Sequence, residues 1–302
     1  MKAPSLTAAV VAALATLVVA QEPQVFRSGV RTVPIHATVV DASGRLIPDL
    51  TQNDFEVFDN GKPVPITLFD AQVQPISVVV ALDTSGSMTL VLDFVKQAAE
   101  AFVLRLLPAD RAMIANFDDR VRMSPGFTSD RDALLRHLRT EIMFGNGTKL
   151  WDALYQSAAL LSQETSRKVL LVLSDGENTA GDMDGDAVLS RALDDHVMVY
   201  TIGMRNRFFN GQAWVVSRPD SFLRKLTEQT GGGHFDLKAT TDLNTTFTRI
   251  ADELHRQYLI GISATPPDGT THKLDVRVKV PGMRARARKS YVAPKITPPP
   301  PR

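Results

Sequence analysis

The sequence predicts an α/β fold with a mostly parallel sheet and helices on both faces. That fold is set into a small antiparallel β-sandwich built from both chain ends. Three observations predict it. Between residues 76 and 256, strand-like apolar runs alternate with helical patterns, as in a parallel sheet covered on both sides. Over 25–75 and again over 257–293 the patterning is β only. The first flank has too few strands to bury two faces alone, so the flanks are expected to combine, with the α/β part inserted between them.

The chain begins with Lys2 and an apolar run from Leu6 to Ala20 rich in Ala and Val, with small Val18 and Ala20 where a signal peptidase reads. This is a secretory leader pattern, assigned to residues 1–20. An uncleaved membrane anchor is the competing reading; the run is about 15 residues, short of the roughly 20 a spanning helix needs. A bacterial envelope location, periplasmic or secreted, is the expectation. The last segment, 294–302, is proline-rich and is expected to be an extended spacer.

In the first flank, Thr32–Val40 is β-rich. Asp54-Phe55-Glu56-Val57-Phe58 alternates so that Phe55 and Val57 share one face. Asn60-Gly61 is a hairpin turn, and Pro63–Phe69 is the return strand, placed at an edge by its two prolines. In the second flank, Tyr258–Ser263, Lys273–Val280 and Arg284–Val292 read as strands. The alternating Arg284, Arg286 and Arg288 share one strand face. They read as a solvated face or protected edge in preference to a polyanion site.

Inside the α/β part the strands are Ile76–Leu82, Arg111–Phe117, Lys168–Leu173, Val197–Ile202 and a shorter one near His234–Leu237. The helical stretches are a stripe of Leu90, Phe94, Ala98, Phe102 and Leu106, then Arg131–Thr140 capped by Asp130, Leu150–Leu161, Asp220–Thr230 and Leu243–Leu254. The Asp cluster 182–186 reads as a helix cap, since the glycine that a calcium loop needs at its sixth position is Ala187.

Composition excludes several chemistries. There is no cysteine, hence no disulfide, zinc–thiolate site or Cys nucleophile. Lys and Arg number 34 against 33 Asp and Glu, which leaves no basic excess for nucleic acid. The six histidines are dispersed and read as mostly surface or capping residues. No phosphate loop or nucleophile elbow points to a small-molecule substrate, and Asp118 and Asp119 are the sole candidates for a general base beside a metal.

The strongest chemical signal is Asp83-Thr84-Ser85-Gly86-Ser87, directly after the apolar run Ile76–Leu82. It places a carboxylate and two hydroxyls at alternate positions on a strand's carboxyl end, where open α/β sheets bind ligands. Such hard oxygens suit Mg²⁺, Mn²⁺ or Ca²⁺. Two further oxygen-bearing loops fall at strand ends: Gly145-Asn146-Gly147-Thr148 and Ser174-Asp175-Gly176. Taken singly, each could be only a turn or a helix cap.

Together these three loops resemble the metal-ion-dependent adhesion site of von Willebrand factor type A domains, a Rossmann-like fold. The resemblance covers about 76–256 and implies Ser85, Ser87 and Thr148 as hydroxyl ligands, with Asp83 and Asp175 as carboxylates acting directly or through water. The flank motif Asp54–Lys62 and the Arg-rich end are similar to bacterial exported proteins related to that family. Two carboxylates and three neutral oxygens leave a cation electrophilic toward an outside carboxylate. The expectation is therefore an exported, non-enzymatic binding module that captures an Asp or Glu of a protein partner. Membrane contact is expected only if the leader is uncleaved. Phe208, Phe209 and Trp214, on the loop after Val197–Ile202, are the candidate partner-binding residues; the alternative packs them back on the helices as a local core. The alternative function is an envelope scaffold whose cation only stiffens loops.

Overall fold

A computed structural model describes residues 32–176, 178–209, 211–237 and 242–295; the expected leader and the tail beyond 295 lie outside the described residues. The chain first runs as β1 (Thr32–Val40), where Val33, Ile35, Ala37 and Val39 are buried at every second position, as in a strand with one face on a core. In β2 (Phe55–Asp59), Phe55 and Val57 point inward. Asn60 and Gly61 then turn the chain with φ of 49° and 80°, the positive pair a tight hairpin requires.

The return segment is two strands and not the single one expected. It divides at Pro65 into β3 (Lys62–Val64), paired with β2, and β4 (Ile66–Asp70), which crosses to the other sheet. Pro65 has no N–H to offer a ladder, and both pieces lie at sheet edges.

The α/β part opens on β5 (Ile76–Asp83), buried along its whole length. It continues through α1 (Leu92–Arg105), β6 (Arg111–Phe117), β7 (Val121–Met123), α2 (Arg131–Thr140) and α3 (Leu150–Leu161). Next come β8 (Arg167–Ser174), α4 (Gly185–Asp194), β9 (Met198–Met204) and the short β10 (Arg207–Phe209) and β11 (Trp214–Val216). It ends with α5 (Phe222–Thr230), β12 (His234–Leu237) and α6 (Leu243–Leu254). The sheet order is β12-β9-β8-β5-β6-β7, parallel throughout except between β6 and β7.

Because side chains of a strand alternate, β5 feeds two cores. Ile76, Val78, Val80 and Leu82 meet α1, α2 and α6, while Val79 and Ala81 meet α3, α4 and α5. Asp130 caps α2 by accepting from Ala133 N–H at 3.0 Å, and Asp184 caps α4 by accepting from Ala187 N–H at 2.8 Å. The stripe expected on α1 is corrected. Leu90 and Phe94 are exposed, and the buried face is Leu92, Val95, Ala98, Ala99, Phe102 and Val103. A strict four-residue spacing advances about 40° beyond a full turn at each step, so it drifts off the packed face.

The chain then forms β13 (Tyr258–Ser263), β14 (Thr271–Val278), β15 (Arg284–Arg286) and β16 (Ser290–Val292). Two four-stranded antiparallel sheets result, β15-β1-β13-β4 and β16-β14-β2-β3, each drawing strands from both flanks. Their shared core includes Ile35, Phe55, Val57, Tyr258, Ile260, Leu274 and Tyr291. The expected strand Arg284–Val292 is again two, because the chain changes sheet between β15 and β16, as sandwich corners do. Beneath it, His272 is fully buried, with Nδ1 2.8 Å from Asp59 Oδ1, so this histidine is a core residue and not the surface one expected.

Of the β15 arginines, Arg284 is exposed at a sheet edge, as expected, whereas Arg286 turns to an internal partner. Arg286 reaches the fully buried Glu253 of α6, which also accepts from Tyr200 of β9 and from Thr38 of β1. Gln257 closes this node by donating to Thr38 Oγ1 at 2.8 Å and to the Tyr200 hydroxyl at 3.0 Å. Sandwich and α/β layer are thus joined by a buried polar network. Among the described residues no helix is long and apolar enough to cross a membrane.

Candidate metal centre

Chain order reverses at β5: β6 lies to one side and β8 to the other, with Leu82 opposite Leu173. The crevice beyond the carboxyl ends at such a reversal is the usual ligand position of open α/β sheets. Asp83 ends β5 and is fully buried. Its Oδ1 accepts from the Ser85 N–H at 2.9 Å, and its Oδ2 accepts from the Ser174 hydroxyl at 2.6 Å. Asp175, one residue past β8, is equally buried. It accepts from Ser87 Oγ at 2.8 Å and from Asn206 Nδ2 at 3.1 Å. The Ser85 and Ser87 hydroxyls lie 3.2 Å apart on the single 3-10 turn that follows β5.

Thr148 arrives on the loop before α3. The Gly145 N–H donates to the Thr84 carbonyl at 2.9 Å, and a Cβ at Gly145 would overlap the Asp118 carboxylate, so the loop can lie this close only with glycine there. Ser85, Ser87 and Thr148 line one cleft of about 800 Å³. Asp83 and Asp175 lie out of solvent, tied to the two serine positions.

Burial, and after it the neighbouring Asp175 charge, lift the Asp83 carboxyl to about 6 against the hydrogen bonds of Ser174 and Ser85. Burial also raises Asp175, opposed by Ser87, Ser217 and Asn206. Among the described residues neither group forms an ion pair with a basic side chain, and none is among the main causes of either shift. Two buried carboxylates without a counter-charge are costly, and an oxygen-only donor set is what a hard divalent cation takes. Among the described residues no three His, Cys, Asp or Glu side chains gather, so a cation held here would depend on the hydroxyls.

The segment expected to be a loop after β9 is a hairpin, β10 paired with β11. Phe209 and Trp214 are 55% and 57% exposed, with ring centroids 5.9 Å apart, so they pack on each other and not back on the helices. Arg207 lies over the Trp214 ring at 5.6 Å. Phe208 and Phe209 line the cleft from this side, and Phe144, 63% exposed, lines it too. Asp118 is held by Arg122 at 2.7 Å and by the Arg120 N–H at 2.8 Å. Burial works to raise its carboxyl, but those bonds keep it below the usual range, which makes it a weak base.

Ser174, named in the oxygen-bearing loop but given no role by the sequence, fixes Asp83. Asn206, which ties Asp175 to the base of the hairpin, escaped the sequence pattern and carries no local signal at all.

The fold and this edge define a doubly wound α/β domain with a cleft of hydroxyls and carboxylates at its switch point. Residues 77–248, more than half of the chain, match the sequence model of the von Willebrand factor type A domain, and the chain belongs to that family. No curated protein matches the sequence. Among solved structures, an aerotolerance-related membrane protein from Bacteroides fragilis aligns with a TM-score of 0.50 at 18% identity, over 59% of this chain and 98% of that one. A von Willebrand factor type A structure from Catenulispora acidiphila aligns at 0.53 and 12% identity, over 89% and 74%. Proximal thread matrix protein 1 from the mussel byssus, with a zinc-occupied MIDAS motif, aligns at 0.52 and 15% identity, over 64% and 48%. At such identities the likeness is one of fold.

Proposed function

We propose that the protein is an exported binding module that captures an acidic side chain of a protein partner through a divalent cation held in the cleft. The observation that carries this is the buried pair Asp83 and Asp175, which share the Ser85–Ser87 turn and, among the described residues, form no ion pair with a basic side chain. Ser85, Ser87 and Thr148 would hold Mg²⁺, Mn²⁺ or Ca²⁺, with Asp83 and Asp175 supplying charge directly or through water. A bound cation supplies an electrophilic centre for an outside carboxylate. Ser174 and Asn206 orient the two carboxylates, and the hairpin bearing Phe208, Phe209 and Trp214 offers exposed aromatic surface beside the cleft for specificity. The zinc in the mussel protein's MIDAS motif supports metal binding by this kind of fold without naming the ion here. Asp118, one of the two candidate bases, is tied to Arg122.

The reading includes a leader at 1–20, an α/β domain at 76–256 and sandwich halves at 25–75 and 257–293. The test is affinity capture from a bacterial envelope extract in Mg²⁺ and in EDTA, using wild type and Ser85→Ala. The expected result is a partner retained by wild type in Mg²⁺ only, and lost when one of its Asp or Glu residues is changed to Ala. A metal-dependent rise in melting temperature with no metal-dependent partner would instead support a scaffold role.

A further inference from the structure

A second cavity lies at the opposite end of the sheet, where the amino ends of the parallel strands meet the sandwich. It has a volume of about 320 Å³ and draws Arg167 and Lys168 from β8, His196 from beyond α4, His36 from β1 and Arg288 from beyond β15. No Asp or Glu lines it. Three of its lining side chains are basic, two of them arginines that stay charged, so the cavity is positive.

The arginines in it are incompletely used. Arg288 Nη1 meets His196 Nδ1 at 3.0 Å, but its Nε and Nη2 are shielded from water and have no partner. Arg167 donates through Nη2 to the Leu254 carbonyl, and its Nε is likewise shielded and unpartnered. Neither forms an ion pair with a carboxylate among the described residues. Buried N–H donors are nearly always satisfied, and an orphaned guanidinium donor calls for an absent acceptor. Burial draws both guanidinium groups down to about 10. His36, held neutral first by burial and then by Arg167 and Arg288, falls to about 3. Only the His36 shift records the positive neighbours; for the two arginines burial is the cause, and Tyr200 and Asp110 oppose it at Arg167 and Tyr291 at Arg288.

We infer that this junction cavity binds a small organic oxyanion, a carboxylate or phosphate attached to an apolar body, between Arg167, Arg288 and Lys168. The oxyanion would lie in the positive field of these three side chains, and the apolar body would lie against Pro34, Met198 and Leu259, which also line the cavity. Because His36 and Pro34 come from the sandwich while Arg167 and Lys168 come from the α/β sheet, the ligand would also cross-link the two layers. This site is independent of the metal reading and can be tested in EDTA.

The experiment follows thermal unfolding and calorimetric titration of the whole protein in EDTA at constant ionic strength. Inorganic phosphate is one arm, benzoate the other, and chloride the reference. One saturable site is expected, with the melting temperature rising by several degrees in phosphate, in benzoate or in both; the arm that binds tighter identifies the anion's chemistry. Arg288→Met is expected to weaken binding at least tenfold. In chloride that variant is expected to melt at or above wild type, since it removes an unpartnered buried cation. A merely structural Arg288 would lower the melting temperature equally in every buffer, and that result overturns the inference. So does the absence of saturable binding in both arms, or unchanged binding in both Arg288→Met and Lys168→Met.

Discussion

The two ends of the central sheet carry opposite uncompensated charge. At the carboxyl edge, Asp83 and Asp175 are buried among hydroxyls and, among the described residues, form no ion pair with a basic side chain. At the amino edge, Arg167 and Arg288 line a cavity that no Asp or Glu lines among the described residues. A parallel sheet has one polarity, so its two edges can be furnished separately. The first edge is built almost wholly from the turns of the α/β layer itself. The second exists only because the sandwich docks: Arg288 is brought to Arg167 by β15 pairing alongside β1. One end depends on a local motif, the other on tertiary assembly.

The largest expected effect therefore comes from undoing the assembly. Glu253→Ala leaves Arg286, Tyr200 and Thr38 without their shared acceptor and should destabilise the protein by about 3 kcal/mol or more in urea unfolding. It should also abolish the response to phosphate or benzoate while the metal edge keeps its affinity. A variant of wild-type stability would mean that the layers do not depend on this node.

At the other edge, Asn206→Ala removes a donor to Asp175 and should weaken Mn²⁺ binding by about 10–100-fold, read by calorimetry. Unchanged affinity would show that Asp175 needs no help from the hairpin.

A smaller effect separates the edges by pH. His36 has a folded pKa of about 3 against 6.5 when unfolded. Below pH 6.5 the unfolded chain takes up a proton that the folded one refuses. Stability should therefore fall as pH drops from 6.5 toward 3, by at most about 1.4 kcal/mol per pH unit from this group. His36→Gln should flatten the slope between pH 7 and 5 in urea unfolding; an unaltered slope would place the acid sensitivity elsewhere. The smallest effect on stability is expected from Trp214→Ala, which should change it by under about 0.5 kcal/mol because the ring is exposed, yet should reduce partner retention.

The same contrast explains what was legible in the sequence. Asp83, Ser85 and Ser87 lie within one turn, and Thr148 and Asp175 follow from locating strand ends, so the candidate metal edge could be assembled by pattern. The alternation of strands and helices, the Asn60-Gly61 hairpin and the Asp130 cap were readable because each is decided within a few residues. Sheet changes at Pro65 and between β15 and β16 were not, because a strand's partner is chosen by the whole sandwich. Arg286 and Arg288 looked solvated, like the exposed Arg284, for the same reason: Glu253 and His196 meet them only after folding. On α1, the exposed Leu90 and Phe94 belonged to a stripe that helical geometry does not keep on one face.

The account stands most directly on a calorimetric titration of Mn²⁺ or Mg²⁺ into wild type and Asp83→Ala, with circular dichroism confirming that both are folded. Saturable binding by wild type at one site, absent in the variant, is the predicted result. Equal binding by both proteins, or none by wild type, would contradict it.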